Sequence, residues 1–74
     1  MWEKGKIEID GTEYNYSAKV YDEPSQFGIN EGRISKLTVK QGKKDIINYD
    51  RGWDIEPTDM VTHLILDIIL KKFN

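Results

Sequence analysis

The Asp10-Gly11 pair, set between Lys6-Ile7-Glu8-Ile9 and a second alternating segment from Thr12, constrains this chain more than any other feature. Asp-Gly between alternating segments is the strongest short-range hairpin signal, because a type I′ turn needs positive φ at both central residues. Such a turn sets Ile9 opposite Thr12 and Ile7 opposite Tyr14. The second strand then carries Tyr14, Tyr16, Ala18 and Val20 on its inner face and Asn15, Ser17, Lys19 and Tyr21 outside. Turn chemistry and alternation therefore predict the same register.

Asp22-Glu23-Pro24-Ser25 ends that strand, since proline has no N–H for the ladder. Phe27-Gly28-Ile29-Asn30-Glu31-Gly32 reads as a structured loop, with Phe27 or Ile29 turned back onto the core. A third strand, Arg33 to Lys40, puts Leu37 and Val39 inside. Ile34 is out of phase and predicts a bulge near Ser35 or a strand start covered on both faces. A three-residue loop at Gly42-Lys43-Lys44 would set Val39 against Ile47, Leu37 against Tyr49 and Lys36 against Asp50 in a cross-strand ion pair. A loop one residue shorter or longer shifts that register. Asp50-Arg51-Gly52-Trp53-Asp54 is expected to leave the sheet. Pro57-Thr58-Asp59 then opens a helix, with Thr58 or Glu56 as its cap, that runs to about Phe73. The expected fold class is α+β: a four-stranded antiparallel sheet of two hairpins packed by one C-terminal helix, order ββββα, in a single domain over 1–74.

At 74 residues, one small core only just offsets the entropy of ordering the chain. With no cysteine, neither a disulfide nor a thiolate can assist. Thirteen acids against eleven bases give a net charge of −2, which predicts neither strong attraction to nucleic acid nor an acidic tail. The opening Met1-Trp2-Glu3-Lys4 is polar and lacks an apolar run of signal-peptide length. The longest apolar run, near Leu64 to Leu70, is broken by Asp67 and too short for a bilayer. The reading is a cytoplasmic protein with no membrane partner.

The helix is more apolar than docking on one sheet face requires. Val61, Leu64, Ile65 and Ile68 form one stripe, expected to belong to the fold. Leu66, Ile69, Leu70 and Phe73 form a second, expected to be covered by the Phe27–Ile29 loop and the two tryptophans or to meet a partner. Asp59, His63, Asp67 and Lys71 make the polar edge.

Little else in the chain resembles a reactive centre. His63 is the only histidine, and a metal site normally gathers two or more His, Cys or carboxylate ligands. Asp59, His63 and Asp67 share a helix edge that reads as solvated. No metal and no cofactor are expected: the glycines at 28 and 32 match neither G-x-G-x-x-G nor a P-loop. No elbow presents Ser17, Ser25 or Ser35. The carboxylate pairs Asp22/Glu23 and Asp50/Asp54 read as turn and capping groups, so no catalytic residue is assigned. The densest constellation, Tyr49-Asp50-Arg51-Gly52-Trp53-Asp54, has hot-spot composition in Arg51 and Trp53 and equally suits a strand exit. On the outer sheet face Lys19, Lys36 and Lys40, with Arg33 nearby, outline a basic stripe. Only Tyr21 is available there to stack on a base.

Gly32-Arg33-Ile34-Ser35-Lys36-Leu37 and Tyr49-Asp50-Arg51-Gly52-Trp53-Asp54, with the Trp2-Glu3-Lys4-Gly5 opening, carry a resemblance over nearly the whole chain. It resembles a family of short uncharacterised proteins of Gram-positive bacteria, their phages and mobile elements. The resemblance implies no catalytic residues; it implies a role in host takeover or defence evasion through binding a host protein. The leading expectation is a non-enzymatic protein-binding module or homodimer, using Leu66, Ile69, Leu70, Phe73, Arg51 and Trp53. The alternative is nucleic-acid binding through Lys19, Arg33, Lys36 and Lys40. A minimal enzyme built on Asp50, Arg51 and Asp54 ranks third.

Overall fold

The computed structural model describes residues Met1–Asn74. Five strands run in chain order across one antiparallel sheet: β1 (Trp2–Ile9), β2 (Thr12–Val20), β3 (Ile34–Gln41), β4 (Lys44–Asp50) and β5 (Trp53–Ile55). One helix, α1 (Met60–Phe73), covers a single face. The α+β class and the C-terminal helix are as expected, but the sheet has five strands where four were expected.

The first hairpin has the expected register, with Ile9 opposite Thr12 and Ile7 opposite Tyr14, and Asp10 and Gly11 both take positive φ. Of the two readings of Ile34, the bulge is the one present. Lys19 pairs with Lys36 but Val20 pairs with Ile34, leaving Ser35 as the extra residue. That is why Ile34 and Leu37 both reach the core although they are three residues apart. At the second hairpin Val39 faces Ile47, Leu37 faces Tyr49 and Lys36 faces Asp50, as anticipated. The loop that achieves this is tighter than expected. Gln41 pairs with Lys44 around the two-residue turn Gly42-Lys43, and Ile46 is left over as a bulge. The bulge restores the register that a three-residue loop would have given.

Arg51 and Gly52 do not lead the chain away from the sheet. Arg51 adopts positive φ and the Asp50 N–H donates to the Gly52 carbonyl at 2.9 Å, which turns the chain back. Trp53 then pairs with Tyr49 and Ile55 with Asn48. Three residues between a turn and a proline are too few to show alternation, so β5 carries no periodic signature.

The helix cap also differs. Asp59, not Thr58 or Glu56, is the N-cap: its carboxylate accepts from the Thr62 backbone N–H at 2.8 Å, while Thr62 Oγ1 accepts from the Asp59 N–H at 3.2 Å. Threonine here fills the role usually taken by Glu or Gln in a capping box. At the other end, Arg33 Nη2 donates to the Phe73 carbonyl at 2.6 Å. The Asn74 side chain accepts from the N–H of Arg33 at 2.8 Å and donates to the Ile29 carbonyl at 3.1 Å. The side chain of Asn74 lies so close to Gly32 that a Cβ there would collide with it. The loop before β3 and the last turn of α1 are thus one joint.

These two ends set the roll of the helix on the sheet, and the roll divides the first expected stripe: Val61 and Ile65 face the core as expected, while Leu64 and Ile68 do not. Ile65 and Ile69 are fully buried, and Val61, Leu66, Leu70 and Phe73 pack against the same core. Leu66, Ile69, Leu70 and Phe73, for which the loop with the tryptophans or a partner was the expected cover, are instead covered by the sheet, with the Phe73 ring edge-on to Tyr16 at 5.9 Å. Leu64 and Ile68, expected inside, point outward. The physical reason is Thr62: bound into the cap and buried, it occupies the middle of the docking face with a polar residue. Of the loop residues, Ile29 joins the core while Phe27 stays exposed.

Two outcomes check this arrangement. Ile69→Ala should cost about 2–5 kcal/mol in urea unfolding, whereas Ile68→Ala should cost about 1 kcal/mol or less; the reverse order would mean a different roll. The second concerns Asp59, whose carboxyl is held below its ordinary value of 3.8 by the Thr62 backbone and side-chain hydrogen bonds. A depressed folded-state pKa stabilises above the unfolded value, and the contribution is lost as pH falls through the folded pKa. Asp59→Ala should therefore be less stable than the parent at neutral pH, the gap closing as the pH drops below 3.8.

Candidate functional site

Side-chain alternation along each strand sends one set of residues away from the helix, and the register aligns them into rows across the sheet. Trp2 on β1 faces Lys19 on β2, Lys19 faces Lys36 on β3, and Lys36 faces Asp50 on β4. The next row is Lys4, Ser17, Thr38 and Asn48. Like charges placed directly opposite one another, as at Lys19 and Lys36, work against the sheet. Asp50 offsets this only in part, at 3.9 Å from Lys36 and 3.7 Å from Arg51.

The Ser35 bulge bends this face at its β2–β3 end and opens a cleft of about 660 Å³. Lys19, Lys36 and Arg51 supply its cations, Tyr21 and Phe27 its aromatic walls, and Asp22 to Ser25 its rim. Lys19 Nζ lies 5.4 Å from the centre of the Tyr21 ring. Its hydrogen bond and its charge hold the Tyr21 hydroxyl below the ordinary value of 10.0, with smaller contributions from Ser35 and Lys36. A phenol that ionises more readily is a local sign of positive potential.

On the opposite side of the molecule, Met60, Leu64 and Ile68 lie one helical turn apart along the outer line of α1, 89%, 46% and 38% exposed. Trp53 and Ile55 on the edge strand β5 are also partly open. The Trp53 ring meets Tyr49 edge-on at 4.9 Å, and the Tyr49 hydroxyl donates to the Phe27 carbonyl at 2.7 Å.

The residues singled out from sequence divide across these surfaces. Arg51 lines the cleft, while Trp53 lies on the helix side against Tyr49, so the two do not form one corner. Arg33 is not a surface cation, because its guanidinium is engaged with the end of α1. Lys40 is paired with Asp45 at 3.1 Å, and Lys19 and Lys36 sit side by side. No group of three or more His, Cys, Asp or Glu residues is placed to hold a metal ion. No helix is long and apolar enough to cross a membrane. Reading the sequence missed Trp2 and Lys4 as outer-face residues, although carrying the Asp10-Gly11 register back along β1 places both there. It also missed the outward line of Met60, Leu64 and Ile68.

Comparison with curated proteins and with solved structures finds no match. A family model described as a domain of unknown function, DUF7678, matches residues 1–74, the full length of the fold described above, and the chain belongs to that family.

Proposed function

We propose that this chain is a non-enzymatic protein-binding module, of the kind carried by phages and mobile elements of Gram-positive bacteria, that acts by docking on another protein. One observation carries the reading: Met60, Leu64 and Ile68 form an apolar line on the outer side of α1 that the rest of the chain leaves partly exposed. Apolar side chains left exposed in a row cost solvation free energy that a partner surface would recover. The neighbouring positions His63, Asp67 and Lys71 are polar, which gives the line the apolar-centre, polar-rim character of a docking surface. Trp53 and Ile55, on the same side of the sheet as the helix, extend the apolar surface available at the β5 edge. The partner residues first expected, Leu66, Ile69, Leu70 and Phe73, support this surface from beneath rather than forming it.

Leu64→Asp combined with Ile68→Asp tests the reading, because neither residue belongs to the buried core. The parent immobilised as bait should retain a specific protein from a Gram-positive host lysate, or a second copy of itself, and the folded double variant should lose it. Identical retained proteins for parent and variant, with matching circular dichroism, would contradict the proposal.

A further inference from the structure

The outer sheet face, away from the helix line, interleaves cations and aromatics across neighbouring strands. Trp2, 52% exposed, stands at the end of the row Trp2, Lys19, Lys36, and Tyr21, 45% exposed, lies two residues past Lys19, just beyond the end of β2. Adjacent strands are about 4.8 Å apart, so Lys19 and Lys36 are anchored one and two strands from Trp2, roughly 5 and 10 Å away at the backbone. Lys4 adds a third cation in the next row, between Trp2 and Lys6 on β1. Neither Lys4 nor Lys19 has an acidic partner, whereas Lys6, Lys36, Lys40 and Arg51 are paired with Glu13, Asp50, Asp45 and Asp50. The face carries acids as well: Glu8 and Glu13 at the hairpin tip, Asp45 beside Lys40, Asp50 opposite Lys36 toward the β5 edge, and Asp22 and Glu23 at the rim of the cleft, none of them paired with Lys4 or Lys19. Asp59 and Asp67 belong to the helix. The net charge of −2 is therefore unevenly distributed, and screening over about 8 Å at physiological salt lets the local field dominate at contact.

We infer that this face binds single-stranded nucleic acid, with bases stacked on Trp2 and Tyr21 and phosphates held by Lys4, Lys19 and Lys36. An open antiparallel sheet with exposed aromatics is a platform for unpaired bases, which have the free π-faces that a duplex lacks. Stacking takes place on the ring faces and phosphate contacts on the lysine tips, and the register interleaves the two. The Ser35 bulge bends the platform at the Tyr21 end, where the cleft with Phe27 and Arg51 provides room for a further nucleotide. Stacking on Trp2 and Tyr21 engages the faces of the bases and not their edges, so binding along this row is tolerant of sequence.

Tryptophan fluorescence tests the inference in a Trp53→Phe background, which leaves Trp2 as the only indole. Titration with an oligothymidylate of about twelve nucleotides at low salt should quench Trp2. The logarithm of the binding constant should fall with the logarithm of salt concentration with a slope of about −2, as expected for three phosphates on a single strand. Lys19→Glu with Lys36→Glu should weaken binding at least about tenfold, Lys4→Glu should act in the same direction, and a duplex of equal length should bind more weakly. Leu64→Asp should leave binding unchanged, so this inference and the helix-line proposal fail independently. Absence of quenching at low salt would overturn it. So would equal binding of polyphosphate or polyglutamate, which carry charge without bases, or full affinity in the folded lysine variants.

Discussion

The roll of α1 on the sheet is the constraint from which the rest of the molecule follows. A helix apolar over most of its circumference has no single hydrophobic face to dictate how it docks. Hydrogen bonds at its two ends make that choice. The Asp59–Thr62 box fixes the first turn with Thr62 buried, and the Arg33–Phe73 and Asn74–Ile29 bonds fix the last turn against the loop before β3. With both ends held, Ile65 and Ile69 are directed into the centre of the sheet and Leu64 and Ile68 into solvent. Burial of the two isoleucines provides the larger free energy, while the polar joints determine which residues receive it.

The sheet beneath is a meander in which two local irregularities serve register. One bulge, at Ser35, allows Ile34 and Leu37 both to be buried; another, at Ile46, reconciles a two-residue turn with the pairing of Leu37 and Tyr49. The same pairing that buries Tyr14, Tyr16, Ala18, Leu37 and Val39 on one side aligns Trp2, Lys19 and Lys36 on the other. Core packing and surface chemistry are therefore consequences of one register. A slip by one residue would exchange them.

Much of the sheet was legible in the sequence because its signals are local. Asp10-Gly11 specifies a turn and therefore the pairing of β1 with β2, and the misplaced phase of Ile34 points to a bulge or a strand start covered on both faces. What was not legible depended on tertiary contacts. The strand Trp53–Ile55 is defined by its partner β4, not by its own three residues. Thr62 belonged to no expected stripe, yet burial in the capping box makes it part of the docking face. A better signal was present in the polar row His63, Asp67, Lys71: the helix side opposite it holds Ile65, Ile69 and Phe73. Arg33 read as a free cation because nothing nearby in sequence reveals a carbonyl forty residues away. Trp2 and Lys4 were recoverable, since extending the first hairpin's register back along β1 places both beside Lys19 and Ser17. Family membership across residues 1–74 carries no activity that could have supplied these assignments.

The roll of the helix can be read directly, because the chain contains no cysteine of its own. Single cysteines placed at position 68 and at position 69 report the accessibility of each side in the folded protein. With the helix held as described, Ile68→Cys reacts with a thiol reagent at nearly the rate of the unfolded chain, and Ile69→Cys is strongly protected until the protein unfolds. Protection at position 68 with rapid reaction at position 69 would contradict the account.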